Sequence, residues 1–110
     1  MIIQGVNVEC NVADTQKIKA YELGQKELLR LANDPEVTKL MIYEQGELFC
    51  SAIAKLVTEL FGEEACKQII TNPNDFILCI DVLKNVTDNL SVVFKEIENK
   101  LLKYDISRIQ

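Results

Sequence analysis

Apolar residues recur at helical spacing along most of this chain, most persistently toward its C-terminal end. Phe76, Ile80, Leu83, Thr87, Leu90, Phe94, Ile97, Leu101 and Tyr104 succeed one another at steps of four, three, four and three. This is a heptad seam of about four repeats, with Thr87 as its single polar interruption. The spacing predicts a helix over 74–104, roughly 45 Å long at about 1.5 Å per residue. That exceeds the diameter of a core this small, so part of the helix is expected to project or to pair between subunits. Cys79, Val82, Val86 and Val93 lie beside the seam and widen the apolar face. A wide face suits packing against two neighbours. The first half of the seam therefore reads as intramolecular core and the second half as a contact between subunits.

The preceding residues supply the neighbours. Over 1–12, Val6, Val8, Cys10 and Val12 alternate with Asn7, Glu9 and Asn11, the period of a strand. Gln4-Gly5 sits ahead of that run and predicts a tight hairpin. A lone hairpin is marginal in water, so its apolar face should lie on helices or on another chain's strands. Asp14 or Thr15 can cap a helix over 14–33, with Ile18, Tyr21, Leu28, Leu31 and Ala32 on its apolar side. Glu22 and Lys26 are placed to pair on its other side. Gly24 inside this helix marks either a kink or a close approach. Asp34-Pro35-Glu36 opens a second helix over 35–61. Its core candidates are Val37, Leu40, Met41, Leu48, Ala52, Ile53, Leu56, Val57 and Leu60, and Gly62 ends it. Gln45-Gly46 is the point at which it would bend or break. A short helix over 63–70 begins with Glu63 and Glu64, which suit its positive end, and Glu63 can pair with Lys67. Asn72-Pro73-Asn74-Asp75 then repeats the start signal before the long last helix. The expectation is a mainly α single domain over 1–110, four-helix bundle-like, with a short N-terminal β-hairpin and a long C-terminal helix.

Composition narrows the chemistry. Hydrophobic residues make up 48% of the chain but aromatics only 6%, so the core is aliphatic. The net charge of −5 and scattered lysines argue against nucleic acid, which needs a concentrated positive surface. No basic leader opens the chain and no apolar run reaches the ~18 residues of a membrane span. A cytoplasmic protein is expected. Cys10, Cys50, Cys66 and Cys79 sit among apolar neighbours and read as reduced, buried thiols. Histidine is absent and no C-x-x-C spacing occurs, which leaves little to bind a metal. A cysteine nucleophile would lack its base. Glu63 and Glu64, adjacent on a helix, do not face one substrate. None of the glycines belongs to a phosphate-cradling cluster. No catalytic residue and no cofactor is expected.

An interaction protein remains, and the order of its parts is suggestive. A starting Met-Ile-Ile-Gln-Gly-Val-Asn-Val is followed by helices and by Glu59-Leu-Phe-Gly-Glu-Glu-Ala-Cys-Lys-Gln-Ile-Ile. A polar loop and a closing helix from Asp75-Phe-Ile-Leu-Cys-Ile-Asp-Val-Leu complete it. Over nearly its whole length this resembles small phage and prophage proteins of Gram-positive bacteria found among tail genes, and is similar to the tail assembly chaperones. The resemblance implies a non-enzymatic helical protein that self-associates, coats the tape measure protein and recruits tail tube subunits. It carries over no functional residues. From the helical pattern, the candidate contact or self-association residues are Leu48, Ile53, Leu56, Leu83, Leu90, Phe94, Ile97 and Leu101. The competing reading is a self-associating structural or adaptor module whose seam is buried in its own oligomer.

Overall fold

The computed structural model describes residues 1–103. Tyr104, the last seam position, lies outside the described residues. A short hairpin precedes a mainly helical chain: β1 (Ile2–Ile3), β2 (Val6–Asn7), α1 (Thr15–Asn33), α2 (Pro35–Thr38), α3 (Ile42–Phe61), α4 (Glu63–Ile69) and α5 (Phe76–Lys103). Among the described residues, five helices thus stand where four were expected.

The hairpin pairs Ile2 with Asn7 and Ile3 with Val6 in antiparallel register. Gln4 and Gly5 take φ of 49° and 77°, the positive values that a two-residue turn needs to match the strand twist. The strand expected to run on to Val12 stops at Asn7. Among the described residues the sheet has two strands, so no third strand continues the ladder. Val8 and Val12 instead reach the core from irregular chain. Ile3 is fully buried, and β1 lies on α5 while β2 lies on α4, so the hairpin's apolar face is covered by helices of its own chain.

Asp14 caps α1 by accepting the backbone N–H of Gln16 at 2.8 Å. Tyr21, Leu28 and Leu31 form its buried side, whereas Ala32 is exposed. Gly24 is a point of close approach: a Cβ there would lie 2.7 Å from Leu56 Cδ1 on α3. Asp34 caps α2 through the N–H of Glu36 at 2.9 Å, with Pro35 in the first turn. The second predicted helix does break, but at residues 39–41 rather than at Gly46. Gln45 Nε2 donates to the Leu40 carbonyl at 3.0 Å and satisfies one backbone group released by the break. Glu44 reaches back to the Met41 N–H at 3.3 Å. Gly46 continues α3 without interruption because its missing side chain makes room for Phe76, whose ring would lie 3.1 Å from a Cβ. Gly62, at φ 93°, ends α3 by donating to the Thr58 carbonyl and turns the chain into α4.

α3 packs between α1 and α5 at the centre of the core. The buried face of α5 is Cys79, Val82, Val86 and Leu90. Of these only Leu90 belongs to the predicted seam. Thr87, the seam's polar interruption, faces α1, where it accepts from Tyr21 Oη at 3.3 Å and from Gln25 Nε2 at 3.2 Å. Asp75 opens α5 by accepting the Leu78 N–H at 3.0 Å. The helix pairs formed are Glu27–Arg30, Arg30–Asp34, Glu36–Lys39 and Glu96–Lys100, in place of the expected Glu22–Lys26 and Glu63–Lys67. Their surface exposure makes them minor contributors to stability. The radius of gyration is 16.3 Å, against about 13 Å for a compact chain of this length. α5 accounts for much of that elongation, since it is about 42 Å long.

Candidate functional site

The predicted contact residues divide into two groups. Ile53, Leu56 and Leu90 are core residues, each 1% exposed, with no surface to offer a partner. Leu83 and Phe94 are half-buried and packed on the core, Phe94 meeting Tyr21 edge-on with ring centroids 5.5 Å apart. Ile97 is half-buried further along α5. Leu48 is marginally exposed, and Leu101 is 60% exposed on the final turn of α5.

The more open apolar surface lies elsewhere. A cleft of about 540 Å³ forms where the start of α3 meets the start of α5. Ile42, Tyr43 and Phe76 supply apolar lining, Pro73 closes one side, and Gly46 lets the Phe76 ring sit close to α3. Phe76 also stacks on Phe49, with centroids 6.0 Å apart, which fixes the ring. Ile42 is 77% exposed, and Met41 and Tyr43 beside it are exposed as well. Ile77 and Ile80, on the first turns of α5, are exposed too. Met41 was expected in the core and is instead at the surface, because the break after α2 turns this segment outward. The consecutive Met41-Ile42-Tyr43 was the signal available in the sequence; three adjacent apolar residues cannot all share one helix face.

The cleft carries little polar chemistry. Among the described residues, Glu47 is its one charged lining residue. Among those residues, too, no polar or charged residue is buried, and no buried side-chain nitrogen or oxygen lacks a hydrogen-bond partner. No group of three His, Cys, Asp or Glu side chains is disposed to hold a metal ion among these residues. The thiols are unbridged. Cys50 and Cys79 are buried, and burial, with Cys50 alongside, pushes the Cys79 thiol up to about 12. Burial also raises Cys10, opposed by Lys17. Cys66 Sγ lies 3.6 Å from the Ala54 carbonyl, a weak S–H donor contact. The raised pKa of Cys79 and Cys10 makes them poor nucleophiles, since the thiolate is the reactive form. No helix among the described residues is long and apolar enough to cross a membrane.

The described residues form a small, mainly helical frame with an apolar cleft and an exposed apolar end on its last helix. Residues 4–110 match the model of a family of unknown function, DUF6673, and the chain belongs to that family. Neither the curated proteins nor the solved structures contain a match.

Proposed function

We propose that this chain is a non-enzymatic phage or prophage protein, a tail assembly chaperone acting in the cytoplasm of the bacterial host. Its clients would be the tape measure protein and tail tube subunits. We read α1, α3, α4 and α5 as a four-helix bundle-like frame that presents the cleft. The observation that carries the reading is the open apolar surface at the start of α3 and α5, set in an acidic chain of net charge −5. An interhelical apolar groove suits the apolar stripe of an amphipathic helix. The whole-chain resemblance to tail-gene proteins supports the choice of client.

The magnitudes favour many weak contacts over one strong one. Each ~100 Å² of apolar surface buried contributes roughly 2.5 kcal/mol gross at about 25 cal/mol per Å². Association costs about 4–15 kcal/mol in lost freedom. A single small site is therefore weak, and a long helical client is held by several copies acting together.

Co-expression with the tape measure protein of the same genome tests the reading. The chain should raise the soluble yield of that client and co-purify with it in several copies. Ile42→Lys should abolish co-purification while leaving the fold intact, because the residue is exposed. A client that stays insoluble, with no tail protein retained on the immobilised chain, refutes the proposal and leaves the self-associating adaptor as the account.

A further inference from the structure

The cleft and the apolar end of α5 lie at opposite ends of one rigid element. Phe76, the first residue of α5, lines the cleft. Lys103 ends the described helix, so the two ends are about 40 Å apart. The distal end is apolar: Leu101 and Leu102 are 60% and 83% exposed, and Ile97 lies half-buried on the turn before them. Its final turn carries Lys100 and Lys103 and no acid. Lys100 also pairs with Glu96 at 3.6 Å, an exposed contact of little strength. The cleft has the opposite charge. Among the described residues Glu47 lines it and no basic residue does, while Glu44 lies on the same turn of α3 and Asp75 directly precedes Phe76.

We infer that the occupant of the cleft, when no client is present, is the distal end of α5 from a second copy of this chain. Leu101 and Leu102 meet Ile42, Tyr43 and Phe76, and Lys100 and Lys103 meet Glu47 and its acidic neighbours. The inference rests on the reading of the cleft as a helix-docking surface, and adds what docks there. A chain cannot satisfy its own cleft, because the straight helix that begins at the cleft carries its other end away from it. The contact is therefore made between copies, and it joins two different patches. Two copies related by a two-fold axis close at once, each end in the other's cleft; otherwise the joined pair keeps one open cleft and one open helix end and grows until a ring closes or an open chain forms. A few helical turns bury well under the ~800 Å² per partner of a standard interface. Assembly is thus concentration-dependent and weakened by salt.

Sedimentation velocity with two complementary variants is the test. Leu101→Asp/Leu102→Asp disables the helix end, and Ile42→Lys/Glu47→Lys disables the cleft. All four residues are exposed, so the fold survives both changes; circular dichroism checks this. Wild type should form a dimer or larger species at high micromolar concentration. Each variant alone should remain a monomer. Mixed in equal amounts, they should form a one-to-one heterodimer that grows no further, because the single good cleft meets the single good end. A wild-type monomer at high concentration overturns the inference, as does a dimer that survives either variant or a mixture that stays monomeric. Client binding is read separately: a wild type that stays monomeric yet retains the tape measure protein defeats this inference alone. Assembly without client retention defeats the chaperone proposal alone.

Discussion

Gly24→Ala sets two effects against each other, and the structure decides between them. On an exposed helix face the change stabilises by up to about 1 kcal/mol, because alanine loses less backbone freedom on folding. Gly24 faces α3 instead. A methyl group there lies 2.7 Å from Leu56 Cδ1 and 3.3 Å from both Cδ2 and Cγ. Carbon atoms pack at about 3.5–4.0 Å, so Leu56 must retreat by roughly 1 Å. A surface leucine would simply change rotamer. Leu56 is enclosed in the core, where packing leaves no open volume to move into. Overpacking of this kind costs about 1–3 kcal/mol. With the propensity gain subtracted, the net loss is about 1 kcal/mol and at most about 2. For a domain of this size that lowers Tm by roughly 4–8 °C per kcal/mol. Urea unfolding followed by far-UV circular dichroism, at a protein concentration too low for association, measures it. Leu56→Ala provides the internal control. Alone it should cost about 2–5 kcal/mol, but it also opens the space that the new methyl group on α1 requires. The double variant should therefore be more stable than the sum of the two losses by about 1 kcal/mol. Gly24→Ala protein as stable as wild type, or strict additivity with Leu56→Ala, refutes the close approach of α1 and α3.

Leu90→Ala should cost about 2–5 kcal/mol in the same assay, and folded Leu90→Ala protein should associate as wild type does, because Leu90 lies in the monomer core; selective loss of association would refute that placement. Thr87→Val removes the acceptor shared by Tyr21 and Gln25 and should cost about 1 kcal/mol, with Gln25 still donating to Tyr21 Oη at 2.8 Å; a gain in stability would mean the polar cluster contributes nothing. Cys79 ties stability to alkaline pH: its folded pKa is raised from 9.0 to about 12, so its contribution is complete below about pH 9 and is lost as pH rises toward 12. The slope from this one thiol is up to about 1.4 kcal/mol per pH unit, and Cys79→Ala should remove it; an unchanged slope in that variant refutes the assignment. Native protein should react slowly with a thiol reagent at Cys50 and Cys79, and denatured protein should titrate four thiols.

The helix ends were legible because capping is local chemistry. Asp14, Asp34-Pro35 and Asp75 each satisfy backbone N–H groups within three residues of themselves, and Gly62 supplies the positive φ that stops α3. The break at residues 39–41 was not legible, since no proline or glycine marks it and a side chain five residues along, Gln45, supports it. Gly46 misled for a related reason. A glycine in a helix signals weakness when read alone, but here it permits close contact with Phe76, a residue thirty positions away in the sequence. The cleft depends on both features, the outward turn after α2 and the ring seated against Gly46. It could be found only once α3 and α5 were side by side.

The phase of α5 was illegible for a different reason. Two apolar stripes run along this helix, one residue apart: the predicted seam, and the line through Cys79, Val82 and Val86. A one-residue step rotates a side chain by roughly 100° around a helix of 3.6 residues per turn. Both stripes satisfy the same periodicity, so spacing cannot rank them; the shape of the partners does. The core receives the stripe through Cys79, Val82 and Val86, each fully buried. The seam is then left to different neighbours along its length. Phe76 turns to Phe49, Thr87 and Phe94 turn to Tyr21, and Leu101 meets solvent. A single polar residue in an apolar seam thus had a specific cause, since Thr87 sits where α1 brings a phenol and an amide across the interface. The seam does not divide half-way into core and surface: Ile80, in its first half, is exposed, whereas Leu90, in its second half, is buried. The bundle ends near Phe94, while the heptad pattern continues to the last described turn. Apolar residues there keep their register beyond the helices that could cover them, and under the inference drawn above a second copy covers them.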